Sequence, residues 1–156
     1  MADEKLERAQ KVYETLCATL DKHEWHYQKN EERLSIECGA QGEDLPMEFT
    51  IRVDTERQLI MLLSHLPFVI SEDKRLDVAI ATSIANNGLV DGSFDFDITD
   101  GHMFFRMTSS FIESDIGSEL FTYMLMVSCR TIDDYNDRFL MLGKGMMSIE
   151  DFMRKE

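Results

Sequence analysis

The spacing of apolar positions changes along the chain, and each change predicts a new element. From Asp3 to Asp21, Leu6, Ala9, Tyr13, Leu16, Cys17 and Leu20 recur at helical spacing with Glu and Lys between them, predicting an amphipathic first helix. The period then drops to two. Trp25-His26-Tyr27 opens a strand. Leu34, Ile36 and Cys38 alternate with Ser35 and Glu37, and Met47, Phe49, Ile51 and Val53 alternate with Glu48, Thr50 and Arg52. The apolar run from Gln58 to Leu66 ends at Pro67. A fourth strand is favoured over a short helix there, because the alternation stops without any cap.

Ser71-Glu72-Asp73 offers an N-cap with first-turn carboxylates, and Asn87-Gly88 a stop, so a second helix is expected between them. On a wheel of about 100° per residue, Leu76, Ile80 and Ile84 share one side and Val78, Ala81 and Ala85 the other. A helix apolar on two sides is either sandwiched within its own domain or shared with a second chain. The side of Val78, Ala81 and Ala85 is the expected partner or dimer interface.

Two alternating runs flank Asp100-Gly101, a dipeptide suited to the positive φ angles of a two-residue type I′ turn. That turn predicts a hairpin whose opposed residues sum to 201. Ile98 then meets Met103, Phe96 meets Phe105 and Phe94 meets Met107 on the inner face, with Asp95 against Arg106 on the other. Phe104 is left as a large aromatic on an otherwise polar face, and is a candidate contact residue. Ser114 is the expected cap of a long third helix with an apolar stripe of Leu120, Phe121, Met124, Leu125, Ile132, Tyr135, Phe139 and Leu142. Gly143 and Gly145 interrupt it, and Ser148-Ile149-Glu150-Asp151 begins a short last helix, about 148–155. The expected order is α-β-β-β(-β)-α-β-β-α-α, an α+β fold with helices packed on a single antiparallel sheet.

Composition narrows the functional choices. At 156 residues, 44% hydrophobic and 29% charged, with only 2 Pro and 8 Gly, the chain suits one folded domain over residues 1–156. Thirty Asp+Glu against sixteen Lys+Arg leave a net charge of −14, the wrong sign for nucleic-acid backbones and for anionic membrane surfaces. No stretch approaches the roughly 18 apolar residues of a spanning helix. The charged start, Met1-Ala2-Asp3-Glu4-Lys5, does not resemble a secretory signal, so a cytoplasmic location is expected. Cys17, Cys38 and Cys129 are odd in number and far apart, which suits reduced thiols.

Candidate chemistry is sparse. Gly143-Lys144-Gly145-Met146 lacks the form of a phosphate-binding loop, and no G-x-S-x-G, H-E-x-x-H or C-x-x-C occurs. Asp91, Asp95, Asp97 and Asp100 suggest a calcium loop, but the alternation of Asp95 to Ile98 reads as a strand with its carboxylates in water. His23 and His26 could share a metal only on a helix, and Trp25 already starts a strand. No catalytic, metal or cofactor-binding residue is therefore assigned, and the expectation is a protein that is not an enzyme. Of the 11 methionines, Met47, Met103, Met107 and Met124 fall on inward faces. Met126, Met141, Met146, Met147 and Met153 are left for core, dimer or adaptable contact surface.

Several segments together resemble the YbjN family of bacterial sensory transduction regulators, whose fold is similar to that of type III secretion chaperones. They are Asp44-Leu45-Pro46-Met47-Glu48-Phe49, the Leu66-Pro67-Phe68 turn, Lys74-Arg75-Leu76-Asp77-Val78-Ala79, Asn87-Gly88-Leu89 and Gly92-Ser93-Phe94-Asp95. The resemblance spans roughly Leu6 to Phe152 and differs from secretion chaperones in a longer C-terminal helical region. It implies a small α+β domain, usually a homodimer, that acts by binding proteins. The functional expectation is a non-enzymatic, chaperone-like or regulatory module that takes an unidentified protein partner on apolar surface. The alternative is a small-ligand sensor or enzyme, with a pocket between sheet and third helix gathering Tyr123, Tyr135, His102 and Arg106.

Overall fold

Four strands follow one another through short hairpins, and a fifth and sixth join them after a helical excursion. The computed structural model describes residues 1–154. Helix α1 (Ala2–Lys22) leads into β1 (Tyr27–Asn30), β2 (Ser35–Gln41), β3 (Pro46–Asp54) and β4 (Leu59–Val69). A short 3-10 turn at Glu72–Lys74 enters α2 (Arg75–Asn87), followed by β5 (Ser93–Phe96), β6 (His102–Ser110), α3 (Ser118–Gly143) and α4 (Ile149–Met153). The sheet order is β1-β2-β3-β4-β6-β5 with every pairing antiparallel, so β6 returns to β4 and leaves β5 at the edge. This is the α+β, single-sheet architecture that the pattern predicts.

Three hairpins reuse one loop. Asn30 pairs with Ser35, Asp54 with Leu59, and the Asp97 N–H donates to the His102 carbonyl, leaving four residues between each pair. Each loop opens on an Asx whose side-chain oxygen takes a backbone N–H inside it: Arg33 to Asn30 at 3.1 Å, Arg57 to Asp54 at 2.9 Å, Thr99 to Asp97 at 2.9 Å. Each closes on a residue with positive φ, Leu34 at 50°, Gln58 at 51° and Gly101 at 81°.

The predicted two-residue turn at Asp100-Gly101 is therefore wrong. The loop is Ile98–Gly101, and Asp100 turns its carboxylate to the His102 N–H at 2.9 Å. The register slips by two. Phe94 faces Phe105 and Phe96 faces Met103, not Phe105. A slip of two keeps every paired side chain on its predicted face, so Phe94, Met103, Phe105 and Met107 stay buried while the partners change. Ile98, expected on the inner face, falls in the loop and is 49% exposed, and Phe96 is only half-buried.

Other boundaries also differ. β4 runs through Pro67, which sits where the β4–β6 register breaks between His65 and Val69 and beyond Leu63, where its pairing with β3 ends, so the missing N–H interrupts no ladder. Ser71 does not cap α2. Its hydroxyl donates to Asp73 at 2.8 Å, and the 3-10 turn intervenes. Gly88 ends α2 at φ −93°, outside the left-handed region. α3 starts after Gly117, not Ser114, and Gly143 lies inside it. Gly145 is the stop: at φ 73° it completes paired bonds from Gly145 N–H to Leu142 O and from Met146 N–H to Met141 O. Ser148 caps α4 as expected, accepting from the Asp151 N–H at 3.1 Å. The end of the predicted last helix, at residue 155, lies outside the described residues.

The core forms between the inward face of the sheet and the helices. Ile36, Phe49, Ile51, Ile60, Leu62, Phe94 and Phe105 from the strands join Ala9, Leu16, Leu20, Val78, Ala81, Phe121 and Phe139 from the helices in one buried cluster. Phe94 is the aromatic hub, edge-on to Phe105 at 5.3 Å, to Phe139 at 5.1 Å and to Tyr135 at 5.6 Å. Val78, Ala81 and Ala85 are at most 1% exposed inside this chain's own core. The side assigned to a partner is thus the inward one, because it meets the sheet and α3. The outward side carries Leu76 and Ile80, 66% and 43% exposed.

Candidate functional site

Strand alternation sends one set of side chains into the core and the other onto a face that no helix covers. Along β4 the buried residues are Ile60, Leu62, Ser64 and Leu66, while Leu59, Met61 and Leu63 lie half-buried on the opposite face. Register aligns their neighbours. Leu63 lies between Thr50 of β3 and Arg106 of β6, Met61 between Arg52 and Thr108, and His65 beside Phe104. The His65 and Phe104 rings lean together at 5.5 Å and 49°. The open face thus carries an apolar strip along β4 and onto its neighbour β6, with polar residues outside it.

Phe104 is half-buried on that face, as the pattern predicts. Its cross-strand neighbour on β5 is Asp95, which with the two-residue slip reaches Arg106 diagonally and pairs with it at 2.7 Å. Glu37 and Glu48, on β2 and β3, border the strip from the other side. Beside them, over Gly39, lies an open depression of about 510 Å³ lined by His26, Gln28, Glu37, Glu48 and Thr50.

Both sheet edges are short. At β5 the free edge is already engaged: the Asn86 amide of α2 donates to the Phe94 carbonyl and accepts from the Phe94 N–H, both at 2.8 Å, as a neighbouring strand would. Strand addition at that point would have to displace a side chain that satisfies both groups.

The four residues of the alternative pocket do not converge. Tyr123 is exposed and hydrogen-bonds to Asp91, Tyr135 packs in the aromatic cluster, His102 opens β6 beside Asp100, and Arg106 lies on the open face. Among the described residues, no group of three or more His, Cys, Asp or Glu could hold a metal ion. Asp97, one of the suspected calcium ligands, is spent on the loop. Thr99 donates both its hydroxyl and its N–H to that carboxylate and holds its pKa below the usual range. Among buried side-chain polar atoms of the described residues, only Asn136 Nδ2 lacks a partner.

Sequence reasoning found Phe104 but not Leu59, Met61 and Leu63 as its company. The signal was the unbroken apolar run from Leu59 to Leu63, longer than a one-sided strand requires.

A YbjN family model, described as "Putative bacterial sensory transduction regulator", matches residues 13–141. Among solved structures, the crystal structure of YbjN, described as a putative transcription regulator from E. coli, superposes with a TM-score of 0.58 at 13% sequence identity. The alignment covers 80% of this chain and 87% of that one, a likeness of fold. No curated protein matches the chain.

Proposed function

Since the chain belongs to the YbjN family, we propose that it is a regulatory protein that works by binding a partner protein, and that the open sheet face is the binding surface. The observation that carries this reading is the apolar strip of Leu59, Met61, Leu63 and Phe104 on a face without a helix over it. An aromatic with aliphatic neighbours, ringed by polar groups, is the composition of a contact centre. The net charge of −14, with Glu37 and Glu48 beside the strip, favours a partner segment carrying basic residues. A cytoplasmic location fits this reading. No helix among the described residues is long and apolar enough to cross a membrane.

The test is partner capture from the native cell by the wild-type chain and by Phe104→Ala, with unfolding measured beside it. Phe104→Ala is expected to change stability by no more than about 1 kcal/mol, as at a half-exposed site, and to reduce capture at least tenfold. Unchanged capture with unchanged stability would remove Phe104 from the surface.

A further inference from the structure

The two ends of the sheet are finished differently. At the β5 end the Asn86 amide occupies the N–H and C=O of Phe94. At the other end β1 pairs with β2 alone, in the register Tyr27↔Cys38, Gln28↔Glu37, Lys29↔Ile36 and Asn30↔Ser35. A strand with one antiparallel neighbour turns the N–H and C=O of every second residue away from it. Among the described residues, no backbone–backbone bond outside that ladder reaches Tyr27 to Asn30. A lysine on an edge strand ordinarily discourages pairing with another chain. Lys29 is drawn back: it shares the inward side with Tyr27, and its ammonium lies 5.9 Å from the centre of that ring.

Two depressions meet along this edge, and Gln28 lines both. One, of about 940 Å³, opens at the hairpin end and is lined by Leu6 and Gln10 of α1 with Asn30 and Leu34. The other is the depression of about 510 Å³ on the open face, where charge is one-sided. The register runs from Gln28 across to Glu37, and one step along the sheet Gly39 lies opposite Glu48. Gly39 adds no side chain, so the floor stays low between two exposed carboxylates. Among the described residues, no Lys or Arg lines this depression.

Resting on the reading that the chain binds a partner protein, we propose that the free edge of β1 takes up an extended segment of that partner as a seventh strand, and that the segment carries Lys or Arg at alternate positions. Ladder bonds to the outer groups of β1 hold its backbone. Side chains of an added strand point alternately to the two faces of the sheet. The basic set lies beside Gln28 and extends over it toward Glu37 and Glu48, while the other set lies beside Tyr27 and suits apolar residues. Glu37 stands two strand spacings, about 10 Å, from the added strand, within the combined reach of a lysine and a glutamate.

The experiment titrates the full chain with a short fluorescent peptide of alternating Val and Lys. On binding, the amides of Tyr27 to Asn30 should slow in hydrogen exchange by about tenfold or more, while those of β5 do not change. Glu37→Lys combined with Glu48→Lys, both at exposed sites, should weaken binding by about tenfold or more. The same peptide with every backbone N–H methylated, equal in charge, should not bind. Binding that survives methylation would show attraction by charge alone and would overturn the proposal. So would protection confined to β4 and β6, or no binding of the unmodified peptide at about 1 mM. Phe104→Ala should leave peptide binding unchanged. Loss of binding in that variant, with β1 unprotected in the wild type, would keep the open face as the binding surface and remove the edge. Protection of β1 together with partner capture that ignores Phe104→Ala would do the reverse.

Discussion

Burial, more than any neighbouring charge, governs the cysteines. Cys38 lies under the sheet and its thiol pKa is pushed up to about 12, chiefly by loss of solvent and secondarily by Cys129. Cys129 is raised to about 11 by burial and by Asp133, and Tyr13 moves to about 12 for the first of those reasons. A group that ionises later in the folded chain than in the unfolded one holds more protons folded, so stability falls as pH rises above the unfolded value. The window opens near pH 9, the ordinary thiol value, and closes near 12. Denaturant unfolding at pH 8 and pH 10.5 should show a loss of about 1–2 kcal/mol per such thiol. The loss should be smaller in Cys38→Ala. A flat profile over that range would show that solvent reaches Cys38. At pH 8, thiol reagents should label Cys17 and Cys38 only after denaturation, since both are buried.

The four-residue hairpin loop is the element that most shaped the sheet. Its closing position demands a left-handed backbone, which costs a non-glycine residue about 1–2 kcal/mol. Leu34 offsets that cost by burial, and Gln58 by accepting a hydrogen bond from Arg8 at 3.0 Å. Gly101 has no such compensation and needs none, but it has no room either. A Cβ there would stand 2.2 Å from the Ile70 carbonyl oxygen. Gly101→Ala should therefore destabilise by about 2 kcal/mol or more, while Gly117→Ala, where a Cβ would meet nothing within 4 Å, should leave stability nearly unchanged.

The loop also explains what the sequence pattern conveyed and what it did not. Alternation specifies which face a residue occupies, so Phe94, Phe105, Met103 and Met107 were placed correctly as core. It does not specify the partner, because the Asp97 and Asp100 side chains, bonding locally, lengthened the turn by two residues and moved the register with it. The open face was visible only through Phe104. Leu59, Met61 and Leu63 were hidden inside an apolar run that a buried strand would show equally well. On α2, apolar residues on two sides could be counted but not ranked, because small residues such as Ala81 and Ala85 suit a close helix–sheet approach that spacing alone does not reveal.

At the scale of the whole molecule, that ranking moves the proposed homodimer contact to the other side of α2. Val78→Asp would bury an unpaired carboxylate in the core and should cost more than about 4 kcal/mol whatever the oligomeric state. It cannot report on a dimer. Ile80→Asp can, since Ile80 and Leu76 face outward one turn apart and a carboxylate there stays hydrated in the monomer. Two copies of a chain of net charge −14 repel one another. Pairing through this stripe should therefore strengthen as salt shortens the screening length, from about 30 Å at 0.01 M to about 10 Å at 0.1 M. Sedimentation equilibrium should find a dimer fraction of the wild type that rises across that range, and Ile80→Asp should stay monomeric at both ends with an unchanged melting temperature. A dimer that survives Ile80→Asp at the higher salt would move the contact to another surface. The strip through Leu63 and Phe104 would then be the next to probe, because it is a second apolar surface that this fold leaves uncovered.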